Sequence, residues 1–571
     1  MRIGMLALCP ALAWIGSPMV LTRWHGGQAQ AVQASPPGAP EALALVQRGD
    51  AAGAVKIMEA AVVRQPKSAR VWRVLGYAAL KAKNLDRALS AYRTSLEIEP
   101  GFPAALYNTG VAYALKQDKE QAFHWLEEAR ATQKMDMTLI QADPDLVSLK
   151  EDPRFTALLP KPELFAHPFV ETVKVIHEWD GEAMNDQFGW IARNMGDVDG
   201  DRIHDVVTSA PTKEIGGANA GRVYLYSTRT GKLLWKVDGQ PGDQLGLGVE
   251  CAGDTNHDGV PDVIAGAPGA GKAYVYSGKD GHPLLTLKAE DRQDVFGAHV
   301  AGVGDIDHDG YADVMVGAPG NNAGGAKAGR AYVYSGKDGH LLLTLTGEHA
   351  GDGFGSTVAG ATDRKHRFLI VGAPGAGPKQ AGRTYVYNAL SQKPQFVIEA
   401  DETGSALGNM FVSVAGDLDG DGVPDIYASD FGNSAKGPAT GRIYLRSGKD
   451  GHPLLTLTGE TAGEGFGIGR ADAGDVDHDG HDDLIVGAWQ YAGAAVSGGR
   501  ATLYSGKDGH VLNTYTCRVP GDTFGFDAVG IGDVDGDGIT DLLLTSAWSG
   551  IHGYHSGRMF IISSGIPAKK R

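Results

Sequence analysis

The sequence predicts a mainly β fold, a seven-bladed β-propeller preceded by a small α-helical domain, and three observations predict it. From Phe169 onward one pattern recurs every 51 to 58 residues, and it recurs seven times. Ahead of it the apolar positions follow a helical period. The 82 glycines do not fall on every third residue, which excludes collagen; they gather between short apolar runs, as many tight β-turns require. A chain of 571 residues is also too long for one ordinary core and predicts two or more domains.

Residues 1–31 read as an export signal. Arg2 supplies a positive end, Ile3 to Ile15 an apolar stretch, and Ala29-Gln30-Ala31 small residues for cleavage. The uncharged run continues to Leu21, so an uncleaved anchor is the alternative, against which Pro10 and Pro18 weigh. The expected location is secreted, periplasmic or at the cell surface. Residues 32–38 form a linker. Cys9, Cys251 and Cys517 are too few and too scattered for a disulfide framework. Metal is the obvious substitute for disulfides in an exported fold.

Three helical repeats are expected over residues 39–136. Trp72, Leu75, Gly76, Ala79, Ala88, Tyr92 and Pro100 set the pattern. A shift of 34 residues forward gives Leu106, Gly110, Tyr113, Ala122, Leu126 and Ala129; the same shift back gives Ala42, Leu45, Ala54, Met58 and Pro66. Gly76 and Ala88 are small where two antiparallel helices touch, Trp72, Leu75 and Tyr92 fill the seam, and Pro100 stops the second helix. The stretch resembles tetratricopeptide repeats, and the resemblance implies a groove for a peptide or partner protein; a spacer is the alternative. Within residues 137–165, Leu146, Leu149, Phe155, Leu158 and Leu159 supply an apolar cap. Arg48-Gly49-Asp50 falls at a turn between helices, where Gly and Asp are ordinary residues.

The propeller is expected over residues 166–564, and its third copy is the clearest. Leu284 to Leu287 is an extended strand, and Phe296-Gly297 leads into a second ending at Gly304. An acidic loop from Asp305 to Asp313 follows, then the strand Val314 to Val316 with its terminator Gly317-Ala318-Pro319. An alternating strand from Gly329 to Ser335 comes next, and Gly336-Lys337-Asp338-Gly339 turns into the next unit. Four short antiparallel strands per unit make a propeller blade. The last copy stops after Ile562 with no outer strand, while an orphan strand, Val170 to Ile176, precedes the first unit. That strand is expected to complete the seventh blade and remove two sheet edges. Residues 565–571 are a basic tail. The Phe-Gly, acidic loop and Gly-Ala-Pro order resembles the FG-GAP repeats of integrin α-subunit propellers. Departures are Leu245-Gly246 and Leu407-Gly408 for Phe-Gly, and Ser429-Asp430-Phe431 and Gly487-Ala488-Trp489 for Gly-Ala-Pro.

Calcium takes six or more hard oxygens at about 2.3–2.6 Å. Carboxylates at loop positions 1, 3, 5 and 9 and a carbonyl at 7 converge if the chain curls tightly, which Gly at position 6 permits. The first copy offers Asp197, Asp199, Asp201, Ile203 and Asp205, and the second Asp254, Asn256, Asp258, Val260 and Asp262. The third offers Asp305, Asp307, Asp309, Tyr311 and Asp313, and the fifth Asp417, Asp419, Asp421, Val423 and Asp425. The sixth offers Asp475, Asp477, Asp479, His481 and Asp483, and the seventh Asp533, Asp535, Asp537, Ile539 and Asp541. Asn256 is a neutral oxygen donor, and Arg202 stands where Gly is expected. In the fourth copy Asp363-Arg364-Lys365-His366-Arg367 has lost the acidic ligands, and no metal is expected there. Up to six Ca2+ are therefore expected. Strands flank these loops and no Glu stands at position 12, so they are not EF-hands.

The formal charge of −16 argues against nucleic-acid binding by a basic surface. Gly266 to Lys272 nearly spells a phosphate-binding loop, but Ala273 stands where Ser or Thr is needed and a strand follows, so no nucleotide is expected. Nucleophile elbows and zinc-binding spacings are missing from the sequence. The reading is a non-enzymatic adhesion or protein-interaction module, with a protein or glycan ligand on the propeller face. An extracellular hydrolase or lyase acting on a polymer or lipid through the propeller channel is the alternative. It requires non-repeating Asp, Glu or His in that channel.

Overall fold

The computed structural model describes residues 38–361 and 366–567. The export signal, Cys9, residues 32–37 of the linker, Asp363 to Lys365 and the last four residues of the tail lie outside the described residues. Among the described residues no helix is long and apolar enough to cross a membrane.

Six helices open the fold: α1 (Ala39–Gln47), α2 (Ala51–Arg64), α3 (Ala69–Lys81), α4 (Leu85–Ile98), α5 (Pro103–Leu115) and α6 (Lys119–Ala131). Asp50, Ser68, Asn84 and Asp118 cap α2, α3, α4 and α6 by accepting a backbone N–H three residues on, at 2.8 to 3.4 Å. Pro103 opens α5, where its missing N–H costs nothing. A Cβ on Gly76 would lie 2.6 Å from the Tyr92 ring, and one on Gly110 2.8 Å from Leu126. Glycine is therefore what lets α3 meet α4, and α5 meet α6, so closely. Leu75 and Tyr92 are buried in the seam as expected, whereas Trp72 is only half-buried. Its indole N–H needs an acceptor and finds the Pro66 carbonyl at 2.8 Å, while Arg87 covers its face. Leu146, Leu149, Phe155 and Leu158 join the same buried cluster as Leu106 and Leu126, so the array ends on an apolar cap.

Seven four-stranded antiparallel sheets follow, each one blade. The second strand of a blade is buried along its length, as in Asp205–Ala210 and Asp313–Ala318, because neighbouring blades cover both its faces. The fourth strand lies on the rim and varies between buried and exposed, as in Leu341–Thr346. Phe188, Leu245, Phe296, Phe354, Leu407, Phe466 and Phe524 are all buried, so both leucines serve the same packing as phenylalanine. The backbone of Phe354 pairs with Gly329 of the preceding blade, and Phe188 of the first blade pairs likewise with Gly557 of the last. At Gly557 φ is +84° and a Cβ would lie 2.1 Å from the Phe188 carbonyl oxygen, so only glycine fits this closing seam.

The strand Val175–Asp180 pairs antiparallel with Arg558–Ser563 and completes the seventh blade. The ring is thus closed from its own N-terminal side, but the closing strand begins later than the expected Val170. Phe169 to Glu171 instead hold on to blade 6. The Val170 N–H bonds the Thr516 carbonyl at 2.9 Å, and the Glu171 carboxylate accepts the Thr516 N–H at 2.7 Å. Phe169 packs edge-on against Phe524 and Phe560. A segment shared with blade 6 cannot also lie in the ladder of blade 7, which is why the pairing starts only at Val175. The clasp therefore spans two blades.

The helical array is seated on the ring. Gln141 accepts the Tyr554 N–H at 3.1 Å, the Phe165 carbonyl accepts from Arg558 at 3.2 Å, and the His167 carbonyl accepts from Arg518 at 2.7 Å. A Cβ on Gly521 would strike Asp136, and one on Gly550 would strike Thr138, each within 2.5 Å. These propeller residues lie at the Phe-Gly end of blades 6 and 7. The first strand of each blade runs away from that end to reach its acidic loop, so the array and the loops occupy opposite faces.

Candidate metal centres and the central channel

In each of the six described acidic loops the position 1 carboxylate is the hub. Asp305 accepts the Asp309 N–H at 3.0 Å and the Gly310 N–H at 3.1 Å; Asp197 does the same for Asp201 at 3.0 Å and Arg202 at 2.8 Å. Position 5 then holds the N–H of position 7, with Ile203, Val260, Tyr311, Val423, His481 and Ile539 bonded at 2.8 to 3.1 Å. Position 9 reaches back to position 2, as when Asp313 accepts the Ile306 N–H at 2.8 Å. Each loop is therefore curled by its own carboxylates.

Two positions must take the left-handed backbone conformation. At position 6, Gly259, Gly310, Gly422, Gly480 and Gly538 have φ between +82° and +93°, and Arg202 adopts φ +72°. The first loop thus keeps the geometry of the others despite Arg202. Replacing Arg202 by Gly is expected to stabilise the protein by about 0.5–1 kcal/mol, since a left-handed non-glycine costs about 1–2 kcal/mol and glycine returns part of it as chain entropy. Urea denaturation of the variant checks this. Position 4 is the requirement that sequence reasoning missed: Gly200, His257, His308, Gly420, His478 and Gly536 all have φ between +58° and +84°. The signal was present as a strict choice between Gly and His.

Carboxylate oxygens of Asp197, Asp199 and Asp205 lie within 4.8 Å of one another, and so do those of Asp305, Asp307 and Asp313. The same holds for Asp417, Asp419 and Asp425, for Asp475, Asp477 and Asp483, and for Asp533, Asp535 and Asp537. The second loop curls alike through Asp254, but Asn256 turns its amide Nδ2 onto Asp258 at 3.2 Å. Its Asp262 is held by Thr255 at 2.6 Å. Burial lifts Asp205, Asp313 and Asp483 to about 6 and Asp425 and Asp541 to about 7, against the pull of the N–H groups they accept. Three converging carboxylates suit a hard divalent cation, and in the first, third, fifth and sixth loops one of the three is buried and reluctant to ionise without the positive charge such an ion would supply.

A base stands beside the fifth carboxylate in several blades. Arg229 reaches Asp201 at 2.8 Å, Lys449 reaches Asp421 at 3.3 Å and Lys507 reaches Asp479 at 3.5 Å. Neighbouring loops also touch. The Asp254 carbonyl accepts the Ala312 N–H at 2.9 Å, and His481 Nδ1 lies 2.7 Å from the Leu418 carbonyl. The acidic residue of the fourth copy, Asp363, lies outside the described residues; Arg367, later in the same copy, bonds His308. Gly266 to Lys272 is the hairpin between the strands Asp262–Ala267 and Lys272–Tyr276.

The central channel carries non-repeating charges that the repeat pattern did not reveal. Arg193 bonds Glu250 at 3.0 Å and also Asp527, and Arg470 bonds Glu250. Two cations and two carboxylates from four blades balance one another. His299 lies among them, and burial, with Arg193 and Arg470 nearby, pushes it down to about 4. The cavity that Arg193, Glu250, His299 and Arg470 line with Met410 and Phe411 is about 20 Å³, the space of a single water. The signal was faint: Arg193 and Glu250 occupy the repeat position where later copies have Ala301 and Ala471.

Comparison with known proteins agrees with this architecture. The tetratricopeptide repeat family matches residues 40–101, the FG-GAP repeat family residues 249–279 and 296–334, and the FG-GAP-like repeat family residues 417–486. Integrin alpha-PS5 of Drosophila melanogaster is 32% identical over 172 residues, 27% of this chain and 17% of that protein. Integrin alpha-6 of Gallus gallus is 36% identical over 160 residues, 25% of this chain and 14% of that protein. Human phosphatidylinositol-glycan-specific phospholipase D is 28% identical over 394 residues, 56% of this chain and 46% of that protein. The chain spans less than half the length of each of these relatives.

Proposed function

We propose that this chain, an FG-GAP repeat β-propeller led by tetratricopeptide repeats and similar to integrin α-subunits, is a calcium-stabilised, non-enzymatic binding module that works outside the cell or at its surface. The observation that carries the reading is the recurrence of one acidic loop in six blades, with its carboxylates converging in five of them. Asp197, Asp254, Asp305, Asp417, Asp475 and Asp533, with their partners at positions 3, 5, 7 and 9, would hold one Ca2+ each. The ion offsets the repulsion of clustered carboxylates and pins the turn between the first two strands of a blade. Ligand recognition, of a protein or glycan, falls to the opposite face, where the helical array stands beside the ring. The array's groove offers a second surface for a peptide.

Saturating chelator is expected to lower the melting temperature of the purified full chain by more than about 10 °C, and calcium to restore it. A melt unchanged by either would sink the reading. Pull-down of surface proteins and glycans with and without calcium then tests the binding half. The likeness to a phospholipase D supports a second reading, hydrolysis of a lipid or polymer. The channel speaks against housing it there, because its charges are paired with one another and its cavity is about 20 Å³.

A further inference from the structure

Five of the six acidic loops secure their ninth carboxylate in the same way. Asp205, Asp262, Asp313, Asp425 and Asp483 each accept through Oδ1 a backbone N–H from the hairpin between the third and fourth strands of their own blade. The donors are Thr228, Gly278, Gly336, Gly448 and Gly506, at 3.0 to 3.2 Å. The seventh blade cannot do this, because its fourth strand is the separate segment Val175–Asp180 and no hairpin follows Ser563. Asp541 keeps its Oδ2 bond to the Val534 N–H at 2.8 Å. Its Oδ1 is fully buried and has no hydrogen-bond partner among the described residues.

The hairpin's other contribution, a base, is also replaced. Arg229, Lys337, Lys449 and Lys507 each pair with the fifth carboxylate of their loop. In the seventh blade the base is Lys174, which enters just before the closing strand, and it reaches further. Its Nζ lies 2.6 Å from Asp535 and 2.7 Å from Asp537, the third and fifth positions together. Its own carbonyl accepts the Ser563 N–H at 3.0 Å, so the same residue touches both the loop and the closing ladder.

We propose that Lys174 competes with a divalent cation for the seventh loop, which makes the loop that is complete by sequence the weakest of the six cation sites. Occupancy there is reported to the strand that closes the ring. The inference rests on the cation reading above. An ammonium and a divalent ion cannot both sit on Asp535 and Asp537 without strong repulsion. The ion has an advantage once its concentration is high enough, since it brings two charges to the ammonium's one, and the buried Asp541 Oδ1, which no N–H satisfies, leaves this loop short of positive charge. Binding then frees Lys174 and loosens the side-chain hold on the clasp, while the backbone ladder remains.

Calorimetric titration of the calcium-free full chain with Ca2+ tests this. The wild type is expected to show one site class weaker than the rest. Lys174→Gln tightens that class at least about tenfold, and Asp535→Asn removes it. A measurement on the unmutated chain stands beside these: acylation of amines followed by mass spectrometry. Lys174 is expected to label at least about threefold faster in saturating calcium than in chelator, with Lys67, exposed in the turn between α2 and α3, as the internal reference. Titrations of wild type and Lys174→Gln that superpose, or calcium-independent labelling of Lys174 while the other loops bind, would overturn the competition alone. Failure of every loop to bind would overturn the cation reading and this inference with it.

Discussion

Deleting residues 169–178 is expected to abolish cooperative folding of the entire ring, not of blade 7 alone. The segment carries most of the ladder to Arg558–Ser563, from Val175 opposite Ile562 to Glu178 opposite Phe560. It also carries Phe169, wedged against Phe524 and Phe560, and the Val170 and Glu171 bonds to Thr516 of blade 6. Without it the third strand of blade 7 becomes an open edge, and the buried Phe560 and Ile562 lose their cover on one side. Each blade is stabilised by its two neighbours, so a ring opened at one seam loses more than one blade's share. Circular dichroism on heating should replace a single sharp transition with a broad, low one, and limited proteolysis should cut within blades 6 and 7 first. A truncated chain that still melts sharply near the parent temperature would count against closure by the clasp.

The second large effect is expected at the channel. Arg193→Met leaves Asp527 and Glu250 buried without their common partner, although Glu250 keeps Arg470. Breaking one side of a buried ion network costs about 3–5 kcal/mol, because the remaining charge is stranded where water cannot reach it. The double variant Arg193→Met, Asp527→Leu removes both members and should recover most of that loss. Asp527 also accepts the Ala192 N–H at 3.2 Å, so the recovery is incomplete. Urea denaturation of the single and double variants measures the difference. A pH series adds a separate signature. His299 is held neutral well below its ordinary value, first by burial and then by Arg193 and Arg470. The wild type should therefore lose stability as pH falls from about 6.5 toward 4, where the unfolded chain binds a proton that the folded one refuses. Arg193→Met removes one cause and should shallow that slope. A single variant that costs under about 1 kcal/mol would mean that the charges are solvated.

What could be read from the sequence was what repeats. Phe-Gly, the acidic loop and Gly-Ala-Pro gave seven blades, and tetratricopeptide spacing gave the helices, because each repeat meets the same packing demand again. Leu245 and Leu407 did not obscure this, since a buried leucine fills the space of a phenylalanine. Departures from the repeat were harder to see. Arg202 stands where Gly was expected, yet the arginine itself takes the left-handed backbone conformation and the loop is regular. The channel tetrad draws one residue from each of four blades, so no copy contains a pattern to recognise. The clasp was placed too early because Val170 to Ile176 reads as extended, while its partners in blade 6 could not be inferred from alternation. The docking of the array on blades 6 and 7 left no local mark in the sequence. Gly521 and Gly550 look like ordinary turn glycines until Asp136 and Thr138 are found against them.

The clasp also fixes the order of events in time. Lys174 and Asp537, which touch in the finished molecule, are 363 residues apart in the chain. The closing strand is synthesised before any blade, and its partner emerges after all the others. During that interval the helical array can fold on local contacts, while the strand behind it waits unpaired and each new blade leaves an edge exposed. A ring of this kind cannot be finished gradually as it is made; it closes once, late, and by its two distant ends, so its birth is slow and open to misjoining in a way its mature stability conceals.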